Sequence, residues 1–305
     1  MFKPVTRFRP HARSTARFIR GLCLIALAAT AACVDGSKTV LNEQAEAHRL
    51  SSHLRVEFTR ATDASNRAVM ADTDEASAAA AREAQQARQS VQHDVDALKK
   101  ILGDLGDREE AGHLDRFIAG FDEYQKLDDT ILPLAVENTN IKAQRLSFGA
   151  AQDAVDAFRQ SIGAAAHLAP AKNAALADAA AARAEAAVLE IQVIQARHIA
   201  ESDEAAMARM ESTMKASEAT ARKAVDTLKG LLQPATTAPS LTAAAEALNR
   251  LMTTNTEIVS LSRRNSNVRS LALSLGKKRT VTAECDASLQ ALEDTLAAHH
   301  FSATR

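Results

Sequence analysis

Apolar residues recur every three to four positions through most of the chain, which is the spacing of an amphipathic helix. Stretches rich in glycine and proline interrupt this pattern and divide it into four segments, at about 38–102, 108–166, 170–232 and 241–302. Each segment is long enough for a helix of roughly 90 Å at 1.5 Å per residue. Because short connections between long helices favour antiparallel neighbours, the pattern predicts an all-α, up-down-up-down four-helix bundle.

Composition agrees with long helices. Runs such as "ASAAAAREA" combine alanine with charged helix formers, and aromatic residues make up only 3% of the chain. No run alternates β-branched or aromatic residues at period two, as a strand would. Within the second segment, Pro133 predicts either a kink or a restart of the helix with Thr130 as its N-cap.

A polar phrase occurs twice inside the helical pattern. "VENTNIKAQRLSFG" begins at residue 136, and "RRNSNVRSLALSLG" begins at residue 263, so that Asn138 and Asn140 recur as Asn265 and Asn267. The shared leucine, serine and glycine follow at the same distances in both copies.

Two further stretches recur in the same order at nearly the same offset. "ADTDEA" at 71–76 returns as "AESDEA" at 200–205, and "VDALKKIL" returns as "VDTLKGLL". The simplest account is a duplicated helical hairpin. We therefore predict a single bundle over 41–302, with hairpin 1 at about 41–168 and hairpin 2 at about 169–302.

The repeated asparagines fall on a heptad-like seam of the second and fourth segments. In the second segment the seam positions step by four and three: Leu127, Ile131, Leu134, Asn138, Ile141, Arg145 and Phe148. This spacing predicts that the first asparagine of each phrase points inward and that all repeated signatures meet at mid-height. The resulting polar layer would contain Asn138, Asn265, Thr73, Ser202, Asn140, Asn267 and Arg145.

Two roles are open for this polar layer. Asparagine at a seam position costs stability but fixes the register of the helices, because a slipped pairing leaves its amide unsatisfied. Thr73 and Ser202 are the best partners for Asn138 and Asn265. The other role is a ligand site lined by the same residues. Under the register hypothesis, valine at both asparagines should keep or raise the melting temperature.

The first 32 residues have a different composition. Six basic residues precede "GLCLIALAATAAC", an apolar stretch that is shorter than the roughly 20 residues needed to span a bilayer. Its length and flanks predict a signal peptide over 1–32, with lipid attachment at Cys33 and a short tether over 33–40. The stretch resembles the bacterial lipoprotein signal, with Thr30 at the usual leucine position. Ordinary cleavage, an uncleaved anchor and an organelle transit peptide are the alternatives.

Charge and cysteine content exclude several classes of function. Without the leader, the formal net charge moves from −1 to −7, and no basic stripe is present to bind the phosphates of a nucleic acid. Cys23 lies in the leader, Cys33 would be acylated and Cys285 is left alone, so no disulfide framework or CxxC metal motif exists.

Catalytic and cofactor chemistry has little support in the sequence. No Ser/His/Asp order, glycine-rich phosphate loop or paired carboxylates on a pocket-forming scaffold occur, so we expect no enzymatic activity and no cofactor. Five histidines are expected near one end of the bundle: His48, His53, His167, His299 and His300. They are interpreted as solvated residues near helix ends and not as metal ligands, with a metal or haem site as the alternative.

The stretches "RAVMADTDEASAAAAREAQQARQSVQHDVDALKKIL" and "LDRFIAGFDEYQKLDDTILPLAVENTNIKAQRLSFGAAQDAVDAF" carry a family resemblance. They resemble the periplasmic four-helix-bundle sensory module of methyl-accepting chemotaxis receptors, and the likeness extends over about 40–300. The resemblance implies a bundle that senses a ligand or a stress and dimerises side by side. No second membrane segment or cytoplasmic signalling hairpin follows the fourth segment, so we expect the signal to pass laterally to a partner.

Together these observations predict a lipid-anchored protein of the bacterial periplasm that acts as a sensory or ligand-binding module. Its expected partners are the membrane through the anchor, a second copy or a membrane receptor or kinase, and possible small molecules, but no nucleic acid. A structural or interaction lipoprotein without a small-molecule ligand is the main alternative. A metal or haem carrier is the third.

Overall fold

The computed structural model describes the backbone of residues 16–303 and the side chains of residues 39–233 and 237–299. All regular elements in this part of the chain are helical, which confirms the all-α class. The predictions of a signal peptide over 1–32 and of acylation at Cys33 rest on side chains outside the described residues. In the described part, no helix carries an apolar stretch long enough to cross a membrane.

Ten α-helices and two π-helical turns follow one another along the described chain. The first half contains α1 (Ala16–Met70), α2 (Asp74–Leu105), α3 (Arg108–Glu137), α4 (Thr139–Leu146), a π-turn (Ser147–Ala151) and α5 (Gln152–His167). The second half contains α6 (Ala174–Ala200), α7 (Glu204–Leu231), α8 (Pro234–Arg264), α9 (Ser266–Leu273), a π-turn (Ser274–Lys278) and α10 (Arg279–Ala303).

The prediction of four uninterrupted helices is wrong. Each predicted segment is broken near its middle, at residues 71–73, at Asn138, at residues 201–203 and at Asn265. These breaks coincide with the repeated polar signatures. Asn138 and Asn265 adopt the left-handed conformation, with φ of 53° in both, and a residue in that conformation cannot continue a right-handed helix.

One glycine and two prolines have different effects on the helices that contain or adjoin them. Helix α2 ends before Gly106, whose φ of 76° lets its amide and that of Asp107 both donate to the carbonyl of Leu102. Helix α8 begins at Pro234 and not near residue 241, because proline is well tolerated at the first helical position. Helix α3 runs through Pro133, so the predicted restart at Thr130 is wrong.

Contacts between Cα atoms divide the chain into two compact units. Unit 1 comprises Met1–Glu57, Gln89–Ala119 and Glu284–Arg305, and unit 2 comprises Phe58–Arg88 and Gly120–Ala283. In unit 1, leucines from α1, α2, α3 and α10 are buried, among them Leu54, Leu98, Leu114 and Leu292. Two ion pairs join its helices, His53 to Asp94 at 2.6 Å and Arg55 to Glu293 at 2.5 Å.

Unit 2 has an alanine-rich core in which α6 packs on α7 and α5 on α8. Small alanine side chains let these helices approach closely, and Phe158, Ile162 and Leu248 fill the space between them. A second cluster in the same unit consists of Phe58, Phe121 and Tyr124, whose rings contact each other at centroid distances of 5.3 to 6.1 Å.

The predicted seam holds only up to the asparagines. Ile131 is fully buried, as predicted, but Phe148 beyond Asn138 is 65% exposed and Arg145 is exposed. The inner positions after the break are Ala143, Ser147 and Ala151. In the second copy, Leu275 is exposed, and the buried positions after the break are Ser266, Ser270, Ser274 and Lys278. The left-handed residue interrupts the helical phase, so the 3.5-residue repeat cannot be extended across it.

Candidate functional site

The breaks at Asn138 and Asn265 expose backbone amides that the helices themselves cannot satisfy. Each asparagine precedes a short helix, α4 or α9, and the first amides of any helix have no acceptor within it. Neither asparagine side chain caps its own helix. The segment is buried, so these amides require acceptors from elsewhere in the protein.

The two copies of the polar phrase cap each other. The amide of Thr139 donates to Ser266 Oγ at 3.0 Å, and the amide of Ser266 donates to Thr139 Oγ1 at 3.0 Å. One residue further on, the amide of Asn140 donates to Asn267 Oδ1 at 3.1 Å, and that of Asn267 donates to Asn140 Oδ1 at 3.2 Å. Four orphan amides are thereby satisfied by residues 127 positions away.

The asparagine side chains extend this contact into a network. Asn140 Nδ2 donates to Asn265 Oδ1 at 2.7 Å, and Asn267 Nδ2 donates to Asn138 Oδ1 at 2.8 Å. The side-chain amides of Asn138 and Asn265 donate to residues at the other two breaks, near 71–73 and 201–203. Asn138 Nδ2 donates to Asp74 Oδ1 at 3.1 Å, and Asn265 Nδ2 donates to the carbonyl of Glu201 at 2.7 Å. We call these four asparagines with Thr139 and Ser266 the asparagine node.

The other predicted members of the polar layer have different positions. The carbonyl of Thr73 accepts a long hydrogen bond from Asn138 Nδ2, at 3.4 Å, while the Thr73 hydroxyl caps helix α2. Arg145 is exposed, and its guanidinium donates to the carbonyl of Asp72 at 2.8 Å. Ser202 is exposed and makes no hydrogen bond with the asparagines, because Glu201 supplies the carbonyl on that side.

The breaks at Asn138 and Asn265 are each followed by a short helix and then by a π-turn, whose first residue is a buried serine. In the first copy, Ser147 Oγ donates to Gln195 Oε1 at 2.9 Å, and Gln195 Nε2 donates to Asn255 Oδ1 at 2.9 Å. In the second copy, Ser274 Oγ donates to Asn66 Oδ1 at 3.2 Å. π-Turns are rare and frequently occur at functional sites.

The second π-turn places a lysine in the interior of unit 2. Lys278 is 2% exposed, and its Nζ donates to Asp128 Oδ1 at 2.6 Å and to the hydroxyl of Ser65. Ser65 Oγ also donates to Asp128 Oδ1, at 2.7 Å. The ammonium lies 4.9 Å from the centre of the Tyr124 ring, within the range of a cation–π contact. We call Lys278, Asp128, Ser65 and Tyr124 the buried lysine centre.

Burial dominates the titration behaviour of this centre. It lowers the pKa of Lys278, against the opposing effect of the Asp128 carboxylate. It raises the pKa of Tyr124 well above its usual range, and the nearby charge of Asp128 adds to that increase. Neither the Tyr124 hydroxyl nor Asp128 Oδ2 meets the geometry of a hydrogen bond with any described residue. The pKa of Tyr124 nevertheless responds to Asp128 and Ser65, so its hydroxyl lies close to both of these groups inside the centre.

The buried lysine centre joins a lysine of the second copy to an aspartate of the first, and the repeat-related positions do not form a second such centre. The residue 127 positions before Lys278 is Ala151, and the residue 127 positions after Asp128 is Asn255. Ala151 is fully buried, and Asn255 is paired with Gln195. The ion pair on one side is thus replaced by a neutral amide pair on the other.

An open cleft of about 280 Å³ adjoins the lysine centre. Asn66, Ser274 and Lys278 contribute to its polar side, and its apolar side includes Val69, Leu271 and Leu275. The only charged residues that line it are Lys278 and Arg279, and both are basic. Its volume is close to the lower end of the range for small-molecule sites. Asp128 compensates the charge of Lys278, so the positive charge that the lining offers to a small anionic molecule comes mainly from Arg279.

A buried histidine forms a second polar cluster in unit 2. His198 is fully buried, with Nδ1 2.7 Å from Ser262 Oγ and Nε2 2.9 Å from Glu211 Oε1. Arg263 Nε donates to the same carboxylate oxygen at 2.7 Å and is the main cause of the lowered pKa of Glu211. Every polar atom named here has a hydrogen-bond partner. We therefore interpret the cluster as a structural cross-link between α6, α7 and α8.

The Ser65–Lys278 contact resembles a nucleophile with its base, but its geometry argues against catalysis. Ser65 is completely buried and its hydroxyl proton is directed at Asp128. A nucleophilic serine must instead give its proton to the base and reach a substrate carbon. The chemistry that this centre supports is charge compensation and binding.

Sequence reasoning missed Lys278 and Asp128. The lysine belongs to the charged stretch "GKKRT", which is typical of a solvated helix face, and Asp128 directly precedes a second aspartate in "KLDDT". The recurrence of glycine as Gly149 and Gly276 inside a helical pattern was the one available signal for the π-turns. Comparisons of the chain with family models, curated protein sequences and solved structures find no match.

Proposed function

We propose that this chain is a ligand-binding helical module of the sensory type, and that its ligand is a small organic anion held in the cleft beside Lys278. The buried lysine centre carries this proposal. Burying an ion pair is costly, and hydrophobic residues of similar volume would often stabilise a protein more. The corresponding positions hold Ala151 and Asn255, two buried residues that carry no charge and cannot form an ion pair. A charged centre beside a cleft is therefore better explained by binding than by packing.

The lining of the cleft indicates the class of ligand. Arg279 supplies positive charge for a carboxylate, Lys278 adds an ammonium that Asp128 already pairs, and Asn66 and Thr62 supply polar groups for orientation. Val69, Leu271 and Leu275 offer an apolar wall. A short carboxylate with an apolar chain matches both sides of the cleft.

Thermal denaturation with a homologous series of probes tests this function. We expect straight-chain carboxylates from acetate to octanoate to raise the melting temperature, and the corresponding alcohols to leave it unchanged. The double variant Lys278→Ala/Asp128→Asn reproduces the residues at 151 and 255 and should lose the response. Lys277→Ala removes a neighbouring exposed charge and should keep it. Equal stabilisation by alcohols, or a normal response of the double variant, would rule out an anion site here.

We further propose that the module is an antiparallel four-helix bundle built from a duplicated hairpin. The reciprocal hydrogen bonds of the asparagine node, all between residues 127 positions apart, support this origin. So does the recurrence of a π-turn at the same offset. The resemblance to the sensory module of chemotaxis receptors is compatible with this architecture and remains part of the proposal.

Anchoring by a lipidated Cys33 in the periplasm, with a second copy or a membrane receptor or kinase as partner, completes the proposed role. Metabolic labelling with a radioactive fatty acid tests the anchor, with Cys33→Ser as the control. In-cell crosslinking from exposed positions on α1 and α10 tests the partner. Unlabelled protein in the soluble fraction would exclude the anchored form.

A structural or interaction protein without a ligand is the second candidate. One observation favours it: each of the four asparagine side chains in the node already has a hydrogen-bond partner within the protein. The predicted ligand site at this layer therefore has few free donors. Failure of every probe to bind, with the fold intact, would favour this second function.

A further inference from the structure

We infer that unit 1 contains a binding site for a divalent transition metal, formed by Asp107, Glu110 and His299, with Zn²⁺ as the best-matched ion. One potential ligand atom from each residue lies within 4.8 Å of the others. This site does not depend on the cleft in unit 2, and it departs from the expectation of a chain without metal.

Glu110 supplies the observation that points to a ligand. Its side chain is fully buried, yet neither carboxylate oxygen makes a hydrogen bond with a described residue. The nearest group is His299 Nδ1, 2.7 Å from Oε1 but without the alignment of a hydrogen bond. Burying a carboxylate is unfavourable by several kcal/mol unless it is both paired and hydrogen-bonded, and the ion pair with His299 leaves Oε2 without any hydrogen bond among the described residues, so a bound cation would stabilise this side chain.

Asp107 is placed as a ligand and not as a helix cap. It directly precedes α3, and its carbonyl accepts the first hydrogen bond of that helix from Ala111. An aspartate at this position normally caps the following amides through its carboxylate. Within the described contacts the Asp107 carboxylate makes no such bond, and it lies instead beside Glu110 and His299.

The donor set selects the ion. One imidazole nitrogen and two carboxylates suit Zn²⁺, which binds three protein ligands and leaves a fourth position open, whereas Ca²⁺ and Mg²⁺ prefer sets made only of oxygen. In a tetrahedral zinc site the ligand atoms are roughly 3.4 Å apart. His299 is about half exposed, so its ring has room to move to that spacing.

Zinc binding to the purified, tag-free full chain tests the site directly. After treatment with a chelator, equilibrium dialysis should show one tightly bound Zn²⁺ per chain. At a hundredfold excess over Kd the melting temperature should rise by about 4 °C and fall again with EDTA. Co²⁺ should give the visible absorption bands of a tetrahedral complex.

Matched variants isolate the three ligands. Glu110→Gln and His299→Asn should each weaken Zn²⁺ binding at least tenfold and abolish the Co²⁺ bands. Glu109→Gln and His113→Asn make the same chemical changes at neighbouring positions, one exposed and one half-buried, and should leave binding unchanged. His299→Asn decides the outcome if Glu110→Gln fails to fold, because His299 is exposed.

Two results would overturn the metal site. One is Zn²⁺ binding to the unsubstituted chain that is no tighter than binding to His299→Asn. The other is a wild-type melting temperature that does not change with Zn²⁺, together with a higher melting temperature of the Glu110→Gln variant. This pair of results would identify Glu110 as a buried acid paired only with His299.

Discussion

Thr139 and Ser266 exchange the same hydrogen bond in both directions: the backbone amide of each donates to the side-chain hydroxyl of the other at 3.0 Å. Their hydroxyls also contact one another at 3.2 Å. Both residues are buried and each begins a helix after a left-handed asparagine. Each copy of the repeated phrase therefore supplies caps for the other.

Removing either hydroxyl should destabilise the protein. Thr139→Val or Ser266→Ala leaves a buried amide without an acceptor, and we expect a loss of about 1–2 kcal/mol in the free energy of unfolding. Thr139→Ser retains the hydroxyl and should cost much less. Urea denaturation measures these values. Thr213→Ala, which removes an exposed hydroxyl that bonds only within its own helix, is the control and should change stability by less than about 0.5 kcal/mol.

Valine at Asn138 and Asn265 should destabilise strongly, contrary to the expectation from the seam pattern. Both positions have φ of 53°, a conformation in which a β-branched residue is a genuine outlier. The substitution also removes the amide hydrogen bonds of the node. We expect a loss of about 2 kcal/mol or more at each position. Asn138→Gly permits the left-handed conformation and should be milder. Equal stability of the valine and glycine variants would show that conformation is unimportant here.

Sequence patterns were informative about local structure and about the repeat. Periodicity and composition predicted the helical class, and the duplicated phrase located the residues that form the asparagine node. The conformation of Asn138 was not predictable, because it depends on caps from residues 127 positions away. The burial of Lys278 likewise depends on Asp128, 150 positions earlier. The residues next to a lysine in a charged stretch do not indicate that it pairs with an aspartate so far away in the sequence.

Replacing only Lys278 should lower the free energy of unfolding more than replacing both Lys278 and Asp128. Lys278→Met leaves a buried carboxylate without its cation, and we expect a loss of about 3–5 kcal/mol in the free energy of unfolding. Adding Asp128→Asn to this variant should restore most of the stability. Chemical denaturation of the single and double variants measures the difference. A double variant that is less stable than Lys278→Met would show that the two side chains do not compensate each other.

Tyr124 should make the protein sensitive to alkaline pH. Its pKa in the folded state is raised above the ordinary value of 10.0, so only the unfolded chain loses this proton above pH 10. Stability from this group is complete below pH 10 and falls above it by about 1.4 kcal/mol per pH unit. Tyr124→Phe should remove that slope, because phenylalanine has no proton to lose at this pH. Identical alkaline slopes in both proteins would contradict this assignment.

Cys285 should be chemically inert in the folded protein. Its thiol is fully buried, and burial raises its pKa to about 12, so almost no thiolate exists at pH 8. Peptide mapping after treatment with iodoacetamide should find this position unmodified under native conditions and modified in urea. The urea-treated sample is the positive control. Rapid alkylation of native Cys285 would mean that unit 1 opens locally.

The reciprocal capping of the asparagine node has the form of a contact between identical subunits. In an isologous interface, residue i of one subunit meets residue j of the other, and j meets i in return. Residues 139 and 266 satisfy this rule within one chain, as do residues 140 and 267. A fragment with only one copy of the phrase would have to pair with a second molecule to satisfy its amides. Lys278 and Asp128, which have no charged counterparts at 151 and 255, mark the place where the two halves are no longer interchangeable.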